Sequence, residues 1–121
     1  MRQFLRSKIH KATVTGADVG YIGSVTLDPN LMELAGIAEW EKVLIVDNTN
    51  GARLETYAIA GEPGSGTVQI NGGAARLVNR GDEVIILTFE IADEPPARPV
   101  QILVDEKNQF VRYLAHSDEA R

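Results

Sequence analysis

Gly23 and Ser24 sit side by side within the run YIGSVTLD, residues 21 to 28. A serine that follows glycine can attack its own backbone. The Ser24 hydroxyl adds to the Gly23 carbonyl, the acyl group moves from nitrogen to oxygen, and an amide becomes an ester. Glycine suits the step because it carries no side chain to block the approach and tolerates strained dihedrals. The attack also needs a hydrogen-bond donor for the oxyanion. β-Elimination of the ester leaves dehydroalanine, which hydrolyses to a pyruvoyl group and ammonia. A chain with no cysteine would thereby gain a ketone electrophile made from itself. A second such pair, Gly64-Ser65, lies in EPGSG, where a relaxed turn accounts for it. Tyr21-Ile22 and Val25-Thr26 read as strand on either side of the first pair, which favours a defined geometry there.

Other constellations are weaker. His10 and His116 stand alone, and no H-E-x-x-H or calcium-loop pattern occurs. No metal is expected. GEPGSG lacks the Lys-Ser or Lys-Thr of a phosphate-binding loop and reads as a hairpin turn. Ser24, His10 and Asp18 compose a hydrolase triad on paper, but such triads are recognised by geometry.

The elements that must position Ser24 are mostly strands. The chain has 121 residues, 44% hydrophobic and 24% charged, which fits one domain. Strand-like runs cover 4–9, 12–15, 43–47, 53–59, 67–70, 83–89, 100–104 and 110–114. Short runs between turn signals predict a small barrel or sandwich. Asn50-Gly51 favours a tight hairpin, and EKNQ, 106 to 109, connects the last two strands. Asp28, Pro29 and Gly36 mark the N-cap, first turn and stop of a two-turn helix. A second short helix is expected within 72–82, ending near Gly81. DEPPARP, 93 to 99, reads as a loop and the tail HSDEAR as frayed. A net charge of −5 argues against a general nucleic-acid binder. No apolar run suits a membrane span or a signal peptide, so a cytoplasmic location is expected.

Three separated blocks fall in order: KIHKATVTGADVGYIGSVTLD (8–28), TNGARLETYAIAGEPGSG (49–66) and INGGAARLVNRGDEVII (70–86). Together they resemble the pyruvoyl-dependent aspartate decarboxylases, which make β-alanine for pantothenate and coenzyme A. The resemblance implies a double-psi β-barrel, mainly β with a few short helices, assembled as a homotetramer with active sites between subunits. It implies self-cleavage at Gly23-Ser24 into chains 1–23 and 24–121, the second beginning with the pyruvoyl group. The amine of L-aspartate would join that ketone as a Schiff base, and the electron pair released with carbon dioxide would spread into it.

The resemblance also assigns roles. Tyr57 matches the proton donor, and a phenol is protonated at neutral pH. Thr56 matches a residue that assists cleavage and contacts substrate. Adjacent strand residues face opposite ways, so Thr56 and Tyr57 would require a bulge, a backbone contact or a second subunit. Arg53 suits the retained carboxylate through two parallel hydrogen bonds, with Lys8 in support. Gly72, Gly73 and Ala74 match the substrate-binding turn, Asn71 can hydrogen-bond the pyruvoyl region, and Tyr21, near the new C-terminus, serves the pocket or the packing. Gly16 and Gly20 depart from the polar residues many relatives carry, and their freedom raises the entropy cost of a strained geometry. Gly73 replaces an alanine, a mild change. A non-catalytic β-barrel module that stays uncleaved is the alternative.

Overall fold

The computed structural model describes residues 1–115; His116 and the rest of the tail HSDEAR lie outside them. The strands are β1 (Arg2–Thr13), β2 (Gly16–Asp18), β3 (Ser24–Leu27), β4 (Lys42–Asp47), β5 (Arg53–Ala60), β6 (Val68–Asn71), β7 (Glu83–Ala92), β8 (Val100–Val104) and β9 (Phe110–Tyr113). One helix, α1, spans Pro29–Ala35, and a 3₁₀ helix spans Gly72–Leu77. All nine strands join in the order β2-β6-β3-β5-β4-β7-β1-β8-β9.

This order forces closure. β1 and β2 stand six positions apart in it, about 29 Å in a flat sheet. Only Val14 and Thr15 connect them, a reach of about 11 Å. The sheet must therefore curl until its ends meet, giving the expected small β-barrel. The seam is hydrogen-bonded: Val14 N–H donates to Asp82 O at 2.9 Å and Thr15 N–H to Val68 O at 2.8 Å. Asn108 adds a side-chain clamp, donating to the carbonyls of Thr13 and Gly66 and accepting from Thr13 N–H. Register shifts after Leu5 and after Ile9 bend β1, as bulges do. The first lets the Arg6 guanidinium reach Gly36 O and Glu41 beside the end of α1.

Alternating apolar residues fill the interior. Ile102, Ile9, Ile86, Ile45 and Leu54 pair in one row across five strands, all buried. Each such side chain contributes about 1.5–3 kcal/mol by leaving water.

Helix α1 follows its sequence signals. Asp28 caps it, Pro29 opens it and Gly36 closes it at φ 74°. The buried Asp28 carboxylate also accepts from Gly64 and Gly66 N–H, so the EPGSG turn is tied down rather than relaxed. Gly66 must be glycine there: its φ is +68°, and a Cβ would stand 2.5 Å from Lys107 O.

Several expectations need correction. Residues 12–15 are not a separate strand; β1 runs through to Thr13 and Val14-Thr15 form the connection. Tyr21-Ile22 are not strand, because β3 starts only at Ser24. The second helix is 3₁₀ and ends at Leu77, well before Gly81. Asn50-Gly51 lies in a five-residue connection, 48–52, instead of a two-residue hairpin. Asp47 organises it, its Oδ1 accepting from Thr49 and Asn50 N–H.

Burial, then the neighbouring Asp82 side chain, raises the Asp47 carboxyl above its ordinary 3.8. Between 3.8 and the raised value the folded chain holds more protons than the unfolded one, so this group's contribution falls as pH rises through that window. Asp47→Asn keeps the acceptor for the loop and removes the charge. Its melting temperature should exceed that of the parent at pH 7–8, with the gap closing as pH falls toward 4; calorimetry across pH checks this.

Candidate active site

Ser24 opens β3 and is 1% exposed. Its register partner on antiparallel β6 is Asn71, so their side chains share a face. Asn71 Nδ2 donates to Ser24 Oγ and to Thr26 Oγ1, each at 3.0 Å. The Ser24 hydroxyl donates to Ile22 O at 3.1 Å. No histidine or carboxylate is among its hydrogen-bond partners, and Asp18 instead accepts from Gly20 N–H. The paper triad Ser24-His10-Asp18 is therefore not assembled.

The turn after Asn71 presses on the backbone before Ser24. Gly72 has φ +74°, and a Cβ on it would lie 2.5 Å from Gly23 Cα and 3.3 Å from Tyr21 O. Only a glycine lets the two segments touch. Gly23 is exposed, with open space where a Cβ would stand. Gly73 is exposed and Ala74 half-buried, both in the 3₁₀ helix that this contact starts. Tyr21 is 53% exposed, and its carbonyl oxygen lies 3.3 Å from the position of a Gly72 Cβ. Gly20 is held by Asp18, and Gly16 is paired with Gln69 in β2. The glycine-rich approach to Ser24 is thus more constrained than its composition suggested.

β5 brings in the next residues. It runs parallel to β3 with Val25 beside Ala58; carried back, this register sets Ser24 beside Tyr57 and Gly23 beside Thr56. β5 pairs with β4 without a register shift, so no bulge is present. Tyr57 lies on the same face as Ser24, while Thr56 faces the other way with its backbone next to Gly23.

Arg53 and Lys8 are not gathered here. Arg53 is four residues from Tyr57, about 13 Å along the strand. Lys8 is on β1, four strands from β3 and about 19 Å across the sheet surface. A groove of about 400 Å³ lies on β1, β4, β5 and β7, lined by Gln3, Lys42, Val43, Leu44, Glu55, Phe89 and Ile91. It adjoins Tyr57 through Lys42 but does not contain Ser24. Among the described residues no group of three His, Asp or Glu could hold a metal ion, and no helix is long and apolar enough to cross a membrane.

Three neighbours escaped the sequence reading. Gln69 donates to Asn71 Oδ1 at 2.9 Å, and Thr26 takes the second Asn71 hydrogen. Their signal was polar alternation, Ser24/Thr26 and Gln69/Asn71, on two paired strands. Trp40 stacks on Tyr57 with centroids 5.8 Å apart, despite a φ of 74°. Its backbone is pinned there: Trp40 N–H donates to Ala58 O and Ala58 N–H to Glu41 O. Nothing local in the sequence announced that pairing.

Fold and site define a small β-barrel protein whose polar centre is a buried serine clamped by an asparagine amide behind an exposed glycine. A family profile described as aspartate decarboxylase matches residues 1–111. The chain is 53% identical over 110 residues to the aspartate 1-decarboxylase of Acetivibrio thermocellus, covering 88% of this chain and 87% of that protein. It is 51% identical to the Corynebacterium efficiens protein of the same name, covering 92% and 84%. With the Bacillus cereus one it shares 49% identity, covering 93% and 91%. The chain belongs to the aspartate decarboxylase family.

The Gly23–Gly72 contact makes a sharp prediction. Gly72→Ala should lower stability by about 2–4 kcal/mol through overpacking and backbone strain, whereas Gly73→Ala, with open space around it, should stay within about 1 kcal/mol. Urea denaturation of both variants checks the contrast.

Proposed function

We propose that this chain removes carbon dioxide from L-aspartate to give β-alanine, after cleaving itself between Gly23 and Ser24. The observation that carries the reading is the Ser24 environment: a buried hydroxyl held at a strand start, with an exposed glycine immediately before it. The residues fit a pyruvoyl group at position 24, since the missing Cβ of Gly72 leaves the backbone there room and Asn71 offers a donor. Such a group supplies a carbonyl that engages the substrate amine and draws off the electron pair released with carbon dioxide.

The chain's own residues do the rest. Gly23 accepts the attack of Ser24 Oγ. Thr56, register neighbour of Gly23, is the candidate donor to the oxyanion. Tyr57, on the face of Ser24, returns a proton to the carbon that lost its carboxylate. Gly72, Gly73 and Ala74 present backbone N–H groups and a small wall to a substrate carboxylate. Arg53 grips the retained carboxylate and Lys8 adds charge. A cation beside the leaving carboxylate would stabilise the ground state, so the retained one is the better assignment.

The separation of Lys8 from Ser24 supports a site shared between copies of the chain. The exposed apolar residues Phe89 and Ile91, 43% and 62% accessible, lie on the intervening face and suit burial in the homotetramer. β-Alanine leads to pantothenate and coenzyme A, and a cytoplasmic setting suits that work.

Intact-mass spectrometry should find two chains, 1–23 and 24–121, the larger having lost ammonia. Ser24→Ala should remain one chain with no decarboxylation; full activity in that variant, or in an uncleaved parent, would refute the reading. Tyr57→Phe should cleave normally yet lower kcat about 100-fold or more. Arg53→Lys should act mainly on KM, raising it about tenfold through loss of the two-point grip.

A further inference from the structure

Gln69 stands two residues before Asn71 on β6, so both side chains lie on one face. Its Nε2 donates to Asn71 Oδ1 at 2.9 Å, and this contact decides which way the Asn71 amide points. With Oδ1 occupied, both Nδ2 hydrogens turn to the hydroxyls of Ser24 and Thr26. Ser24, already accepting, directs its own proton to Ile22 O. Gly16 leaves the space that Gln69 uses: it pairs with Gln69 across β2 and β6, and a Cβ there would stand 3.3 Å from Gln69 Oε1. Reversing the amide would put a carbonyl, not an NH₂ group, against Ser24 Oγ.

We propose that Gln69 is a positioning residue for backbone cleavage, holding the Asn71 NH₂ group against Ser24 Oγ. The inference rests on the reading of Ser24 given above. The step that needs this donor is the second one. In the ester, Ser24 Oγ is bonded both to the Gly23 carbonyl carbon and to Ser24 Cβ. A solvent base removes the Ser24 Cα proton, and that electron pair forms the Cα–Cβ double bond. The Cβ–Oγ bond breaks, its electrons stay on Oγ, and Oγ departs as one oxygen of the Gly23 carboxylate. Negative charge grows on the atom that Asn71 Nδ2 faces. Hydrogen bonds to a charged acceptor are roughly twice as strong as neutral ones, so the donor favours the departing state over the ester.

The test is a time course of intact mass on freshly purified parent, Gln69→Glu and Gln69→Met, each sampled with and without brief neutral hydroxylamine, which cuts an ester at 23–24; the masses of 1–23 and of 24–121 with an intact serine amine identify that cut and separate it from hydroxylamine cleavage at Asn50-Gly51 or Asn71-Gly72. A carboxylate at 69 cannot donate. It takes the Asn71 NH₂ group and turns Oδ1 toward Ser24. Gln69→Glu should slow formation of the 24–121 chain about tenfold or more, with full-length, hydroxylamine-sensitive protein accumulating. Gln69→Met removes the director without reversing the amide and should slow it less, about threefold, with the same ester present. Melting curves in the Ser24→Ala background establish that each variant folds. Parent rates in both folded variants overturn the proposal, as does slow cleavage without any hydroxylamine-sensitive chain. If Gln69→Glu does not fold, a parent rate in Gln69→Met is sufficient to overturn it. A parent that never cleaves removes the reading of Ser24 itself, which separates the two failures.

Discussion

The two-residue link between β1 and β2 is the constraint on which the rest of this molecule depends. It is too short to cross an open sheet, so the sheet closes, and closure decides which strands become neighbours. β2 is carried to β6 and seats Gly16 beside Gln69. β6 in turn lies antiparallel to β3, which sets Asn71 opposite Ser24. A longer link would relax the seam and, with it, the register of every polar residue around the serine. The buried carbonyls and N–H groups at the seam are satisfied across it, so a partly opened barrel would expose them together.

Around Ser24 the design is polar but closed. Asn71 uses its acceptor on Gln69 and both hydrogens on hydroxyls, leaving no unsatisfied atom in a fully buried amide. In a low-dielectric setting such a network is stiff, because breaking one link strands another group without a partner. The stiff cluster abuts a soft one. Residues 19–23 belong to no helix or strand, and Gly23 is exposed. A hydroxyl fixed in position next to an exposed segment outside regular structure suits the selective cleavage proposed for this joint.

Much of this was legible in the residue order, for identifiable reasons. Asp28, Pro29 and Gly36 act locally, so the helix they bracket formed where they said it would. Strand interiors rich in Val and Ile were equally plain. Local chemistry could not tell where Ser24 stood within its strand: Tyr21-Ile22 have strand-like side chains, but the contact between Gly72 and Gly23, 49 residues apart in sequence, pulls that stretch out of the sheet. The 3₁₀ helix stops early for a related reason, because Val78 is drawn into the core. The family's blocks pointed to Ser24, Asn71, Gly72 and Tyr57, and the barrel brings them together. Gln69 and Trp40 act through pairing partners distant in sequence, and their neighbours along the chain say nothing of it.

The position of β1 in the sheet has a bearing on what cutting the chain can achieve. This strand pairs with β7 along its length and with β8 over residues 7–10, and it contributes Ile9 and Ala12 to the apolar interior. A nick after residue 23 falls in an exposed stretch beyond this stave. The severed N-terminal piece would stay locked in the wall of the barrel, so the new end at residue 24 would be freed while the scaffold around it stayed whole.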